Sequence, residues 1–260
     1  GFMDCAQAIM TTDTVPKLVH RQGWVDGSPF NVIGLAKGSG MIAPNMATML
    51  CFACTDIAAS PDMLKAVLLK SVNNSLNRII IDGDTSTNDT TLILANGQSG
   101  ISLDENNAMA SFQQVLDGVL LSLARELVRD AEGGTKVVTI AVRGAGAPED
   151  ARTMAETIAN SPLVKTAIFG EDANWGRIAA AAGRSGVPFN PGQLGIFFDD
   201  VQMTAKGLSC GDQAESAATA VLQQPEFTIT LDLNAGQAEA SVLTCDFSID
   251  YVKINADYRS

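Results

Sequence analysis

Apolar positions recur along this chain with two periods, and the switches between them mark its elements. Residues 2–9 read as the tail of a helix, and residues 31–36 as a strand feeding the turn Gly38-Ser39-Gly40. The apolar run at 48–55 predicts a buried strand. Pro61 opens a helix to about residue 77, with Met63, Ala66, Val67 and Lys70 at helical spacing. Residues 91–95 predict a further strand. Phe112, Val115, Leu116, Val119, Leu120 and Leu123 form one stripe, which predicts a long amphipathic helix over 108–130. The β-branched run 137–142 predicts a strand, and residues 148–159 a helix.

The second half repeats the alternation. Residues 164–169 read as a strand, and 170–176 lead into a small-residue helix at 177–183. Residues 196–198 and 201–203 predict a hairpin across Asp199-Asp200, and 212–222 a helix. Residues 227–233 and 239–246 predict a second hairpin across Asn234-Ala235-Gly236, a favourable turn sequence. The fold class expected is α/β, with helices layered on mixed and antiparallel sheets rather than an all-parallel sheet. A seam is expected near Ala145-Gly146-Ala147-Pro148.

Composition narrows the function. Apolar residues make up 46% of the 260 residues and charged ones 18%, which suits a packed enzyme and not a disordered chain. Seventeen basic against 29 acidic residues give a net charge of −12, which repels a nucleic-acid backbone. No apolar run has the length of a membrane span, and the first residues lack a signal pattern, so a cytoplasmic protein is expected. Cys51 and Cys54 have CxxC spacing, but they lie in an apolar strand without a second pair, and core packing is the better reading. His20 is the only histidine and falls in a polar stretch that reads as a solvated loop. No metal site is therefore expected. The oxygen-rich run Asp82-Gly83-Asp84-Thr85-Ser86-Thr87-Asn88-Asp89 lacks the closing glutamate of a calcium loop and reads as a turn at an active-site rim.

An enzyme so short of histidine needs another general base, and one stretch offers it. In Lys37-Gly38-Ser39-Gly40-Met41-Ile42-Ala43-Pro44-Asn45-Met46-Ala47-Thr48 a glycine-rich turn places a threonine hydroxyl at the head of the apolar strand. Such a threonine can attack the carbonyl before it and break the chain at Ala47-Thr48. The freed α-amine, with an ordinary pKa of about 7.7–8.0, can then take the proton of its own hydroxyl near neutral pH. The plainer reading is a glycine-kinked loop entering a core strand.

The blocks AKGSGMIAPNMATML, AIMTTDT, EGGTK, DANWGRIAAA and INADYRS together resemble the ornithine acetyltransferase family, also called glutamate N-acetyltransferases, in the family's order from about Ala6 to Ser260. The resemblance implies a layered α/β/β/α-like sandwich of the self-cleaving N-terminal-nucleophile type. It implies acetyl transfer from N-acetylornithine to glutamate through an acetyl-threonine, with no cofactor and with acetyl-coenzyme A as a further acetyl donor in some members. Residues 1–47 would be the end of the chain before the cut, 48–147 the catalytic part after it and 148–260 the C-terminal part. Family members carry a further N-terminal segment with the oxyanion-hole residues, which is expected here either as a separate polypeptide or as a part that this chain, as a fragment, lacks. They assemble as heterotetramers of two cut chain pairs.

Site residues follow from the same resemblance. Thr48 is the catalytic nucleophile and Ala47-Thr48 the cleavage site. Thr11, Lys37, Thr48, Glu132, Asn255 and Ser260 are the substrate contacts, with Thr12 an alternative to Thr11. On residue chemistry alone, Lys37 is either a carboxylate-binding ammonium that keeps the Thr48 amine neutral or a surface lysine at a turn. The threonines are otherwise a helix-ending turn. Glu132, beyond a helix C-terminus where a carboxylate opposes the dipole, suits a cationic amine better than a structural role. Trp175 reads as packing at a strand-to-helix turn. Two other functions fit the same features: an N-terminal-threonine amidohydrolase, and an inactive fragment that needs a partner chain.

Overall fold

The computed structural model describes residues 1–44, 48–104 and 108–258, which form two compact units, 1–131 and 132–260. The division falls at Ala131/Glu132, whereas the expected seam at residues 145–148 is only the handover from a strand to a helix. No helix among the described residues is long and apolar enough to cross a membrane.

The first unit contains α1 (Phe2–Ala8), β1 (Lys17–Val25), β2 (Ser28–Lys37), β3 (Leu50–Thr55), α2 (Pro61–Asn73), the two-residue β4 (Ile79–Ile80), β5 (Thr90–Ala95) and α3 (Ala108–Arg129). Its sheet runs β1-β2-β3-β5, antiparallel except for the parallel pair β3/β5. Phe112, Leu116, Val119, Leu120 and Leu123 of α3 are buried, and Phe112 meets Phe30 of β2 with ring centroids 5.9 Å apart. Burying each such side chain stabilises by about 1.5–3 kcal/mol. Two expectations change here. The stretch around His20 is strand β1, not a loop: Lys17, Gly23 and Val25 face inward while His20, Arg21 and Gln22 are exposed, which hides the alternation. The helix from Pro61, capped by the Ser60 hydroxyl, ends at Asn73 and not at residue 77.

The second unit contains β6 (Val137–Ala145), α4 (Pro148–Ala159), α5 (Pro162–Phe169), α6 (Trp175–Gly183), β7 (Gly195–Phe198), β8 (Val201–Ala205), β9 (Leu208–Ser209), α7 (Asp212–Leu222), β10 (Glu226–Asp232), β11 (Ala238–Cys245) and α8 (Ile249–Asp257). Its strands follow the order β11-β6-β10-β7-β8-β9. The hairpin β7/β8 forms as expected. The hairpin expected between β10 and β11 does not, because β6 lies between them: Ile140 pairs with Ile229 in parallel and with Val242 antiparallel. The Asn234-Ala235-Gly236 turn instead passes over the end of β6, with the Ala235 N–H on the Gly144 carbonyl at 2.8 Å.

Residues 164–169, read as a strand, are helix α5. Pro162 opens it, and Val164, Ala167 and Ile168 are buried at the helical spacing i, i+3, i+4. That burial overrides the β propensity of Val164, Thr166 and Ile168. Both units therefore show the mixed α/β class with mixed sheets.

Candidate active site

Thr48 stands two residues before β3, and Lys37 closes β2 opposite Leu50, the first residue of β3. The Thr48 hydroxyl donates to Asn88 Oδ1 at 3.3 Å, and Asn88 Oδ1 also accepts from Ser86 at 3.0 Å. The Met49 N–H donates to the Asp89 carboxylate. The Asp82–Asp89 loop thus forms the rim beside Thr48, and its other end is fixed too, since Asp82 accepts from the Met41 and Ile42 N–H groups at 2.6 and 3.2 Å. Burial pushes the Asp89 carboxyl above the usual range, against the Met49 N–H, the Ser86 hydroxyl and the Lys37 ammonium. Burial also pushes the Asp82 carboxyl up, opposed by the N–H groups it accepts.

The Gly38-Ser39-Gly40 turn between β2 and Thr48 is tightly built. Gly38 has φ +142°, and a Cβ there would lie 3.2 Å from Ile42 Cδ1 and 3.5 Å from the Met49 backbone, so glycine suits the position. Its N–H donates to Asp13 Oδ1 at 2.7 Å. Asp13 belongs to a buried triad: Lys17 Nζ lies 2.6 Å from both Asp13 and Asp130. Asp130 in turn accepts the Thr14 N–H at 3.0 Å, and Asp13 the Thr11 N–H at 3.1 Å. Burial pushes Asp13 up, yet the Gly38 N–H, Lys17 and the Thr11 N–H outweigh it and hold its carboxyl below the ordinary range. The triad therefore locks the Thr11–Thr14 turn against the turn that follows Lys37. The Thr12 hydroxyl is engaged with Ser39 Oγ at 2.6 Å, whereas Thr11 is exposed.

The second unit carries the other group. Asn255, on α8, donates from Nδ2 to Glu132 Oε2 at 3.0 Å and to the Tyr251 carbonyl at 3.1 Å. Gly133 has φ +67°, and a Cβ on it would stand 2.4 Å from the Tyr251 nitrogen, so the Glu132 turn touches the head of α8. Ser248 caps that helix, accepting from the Asp250 and Tyr251 N–H groups. Asp246 accepts from the Thr135 N–H and hydroxyl, both at 2.7 Å, and from the Lys136 N–H at 2.9 Å. The EGGTK block is thereby tied to the residues that precede α8. Ala47 and Ser260 lie outside the described residues.

Sequence reasoning missed Asp13, Lys17, Asp130 and Asp246, whereas Asn88 and Asp89 fall in the run it read as the rim. Apart from the Asp13–Lys17 pair, four residues apart, the partners of the missed residues are remote in the chain. Trp175 is half-buried at a helix-to-helix corner, where Asn174 caps α6 by accepting the Arg177 N–H at 3.1 Å. Cys51 and Cys54 face opposite sides of β3. Cys51 is buried, and burial pushes its thiol up to about 12. Among the described residues no cluster of histidine, cysteine and carboxylate groups could hold a metal.

A sequence model of the ArgJ family matches residues 2–260. The chain belongs to that family. It is similar to the arginine biosynthesis bifunctional protein ArgJ of Desulfotalea psychrophila, 52% identical over 262 residues that cover 100% of this chain and 67% of that protein. The ArgJ protein of Geobacter sulfurreducens is 51% identical over 257 residues, 98% of this chain and 65% of that protein. The crystal structure of ArgJ from Bacillus halodurans superposes with a TM-score of 0.75 at 35% identity, covering 80% of this chain and 98% of that one. The chain spans about two thirds of the length of the curated ArgJ proteins it matches.

Proposed function

We propose that this chain carries the nucleophile and much of the substrate pocket of an enzyme that moves an acetyl group from N-acetylornithine to glutamate. The observation that carries the reading is the placement of Thr48 at the head of β3. Its hydroxyl is held toward Asn88, and Lys37 closes the neighbouring strand. Membership of a family whose relatives are named arginine biosynthesis bifunctional proteins supports it.

Thr48 Oγ first attacks the Ala47 carbonyl carbon, and the Thr48 nitrogen leaves as an amine. Water then hydrolyses the resulting ester, giving an Ala47 carboxylate and a free Thr48 amino terminus. In turnover the Thr48 amine accepts the hydroxyl proton while Oγ attacks the acetyl carbonyl. The tetrahedral intermediate collapses, and ornithine leaves with that proton on its amine. The amine of glutamate then attacks the acetyl-threonine ester and departs as N-acetylglutamate, and Oγ recovers its proton.

Lys37 binds a substrate carboxylate and keeps the Thr48 amine neutral by like-charge repulsion. Thr11 supplies a hydroxyl to the substrate, since that of Thr12 is occupied by Ser39. Glu132, steadied by Asn255, receives the side-chain amine of ornithine, and Ser260 adds a hydroxyl. Donors for the oxyanion come from the part of the relatives this chain does not span, whether it is a partner polypeptide or a further stretch of the same protein. Two cut chain pairs assemble as a heterotetramer. The scheme uses no metal or organic cofactor, and acetyl-coenzyme A enters only as an alternative acetyl donor.

The test is mass spectrometry and N-terminal sequencing of the chain with its oxyanion-donating part, incubated with N-acetylornithine. The expected products are a fragment beginning Thr48-Met49-Leu50-Cys51 and an acetyl adduct on Thr48. Thr48→Ala should give neither. An intact chain that still turns over acetylated amino acids overturns the reading. Acetate release in buffer without glutamate would instead show an amidohydrolase.

A further inference from the structure

Lys165 is a fully buried lysine that the proposed chemistry leaves unused. It sits in the first turns of α5, with 1% of its surface exposed. Taking an ammonium out of water is expensive unless fixed partners replace its hydration. Those partners converge from one short segment just before α8. Lys165 Nζ donates to the Thr244 hydroxyl at 2.6 Å and to the Cys245 carbonyl at 2.6 Å, and it lies 4.8 Å from the centroid of the Phe247 ring. The Phe247 N–H closes the clasp by donating to the Lys165 carbonyl at 3.3 Å.

That clasp leads directly to the Glu132–Asn255 pair. The Phe247 ring stacks on Tyr251 at 4.7 Å and 14°. Tyr251 offers its carbonyl to Asn255, and Asn255 donates to Glu132. Helix α8 has no buried residue of its own, and Ile249 and Val252 are largely exposed. A helix with so little buried surface gains little position from packing, so its placement depends on the few contacts at its head.

From this geometry we infer that Lys165 is a positioning residue. It fixes Phe247, hence Tyr251, and so sets the orientation in which Asn255 holds Glu132 for the substrate amine. This rests on the proposed role of Glu132. It assigns Lys165 no contact with substrate and no proton to carry.

Two variants test it, Lys165→Met, which keeps the length of the stem, and Phe247→Leu, which leaves Lys165 in place and removes the stack. The first readout is hydrogen–deuterium exchange of the chain, with its oxyanion-donating part present. Both variants are expected to speed exchange across α8 by about tenfold while β6 stays protected. The second readout is steady-state acetyl transfer. Both variants should raise KM for N-acetylornithine by about tenfold and leave kcat within about threefold of wild type. Lys165→Arg, which retains a buried cation, should recover most of the KM.

Unchanged exchange in α8 overturns the inference. So does faster exchange with an unaltered KM, or an equal loss from Lys165→Arg and Lys165→Met. If Lys165→Met does not fold, Phe247→Leu decides alone. Absence of acetyl transfer by the wild-type protein would count against the proposed function, and the exchange readout would still judge the link between Lys165 and α8.

Discussion

At the scale of single residues, the most constrained groups are those that lost water. Lys17 lies between Asp13 and Asp130 with its side chain fully buried. Replacing it by methionine leaves two carboxylates facing each other without a counter-charge. Lys17→Met should lower the stability of the fold by about 3–5 kcal/mol in denaturant titrations. Asp13 gives the matching pH dependence. Its carboxyl is held below its ordinary value of 3.8 in the folded state, so its stabilisation is complete above that value and is lost as pH falls through the lowered one. In melts across acid pH, Asp13→Asn should therefore flatten the fall in Tm. Cys51 behaves oppositely, since its thiol is raised from 9.0 to about 12. Its stabilising effect is present below 9 and lost as pH rises from 9 toward 12. At pH 8 an alkylating reagent should label the exposed Cys5 and Cys210 and spare Cys51 until the protein is unfolded.

At the scale of elements, the packing of the Glu132 turn on α8 can be probed directly. Gly133→Ala forces a Cβ against the Tyr251 nitrogen from a left-handed backbone, and should lower stability by about 1–3 kcal/mol. Circular dichroism melts and proteolysis near residue 250 would show it, and wild-type behaviour in both would refute the close approach. Much of the element order could be read from the sequence. The apolar stripe of α3, proline at the start of α4, and the bounds of α7 all report local periodicity, and local periodicity survives in the fold. Elements failed where a tertiary neighbour decided the outcome. Strand β1 shows a polar outer face and conceals its inner one, α5 buries a β-branched run along a helical face, and β10 prefers β6 to the strand that follows the turn. The site divides in the same way. Thr48, Lys37 and the Asp82–Asp89 rim stand out through their turn chemistry and a family block. The triad that secures them joins Asp13, Lys17 and Asp130 across most of the first unit, and no local pattern could reveal it.

At the scale of the whole molecule, the described chain is two compact units divided at Ala131/Glu132. Each unit carries part of the proposed machinery: the nucleophile, Lys37 and Thr11 in the first, and Glu132 and Asn255 in the second. The strand order of the second unit has a kinetic consequence. Because β6 separates β10 from β11, the last two strands cannot zip up as a local hairpin during synthesis or refolding. Strand β10 can pair with β7 on its other edge, but β11 must wait for β6, laid down much earlier, with the loop-closure entropy that this implies. In pulse-labelling experiments, amides of β11 should gain protection together with those of β6, as one late step. Early protection of β11 ahead of β6 would contradict this.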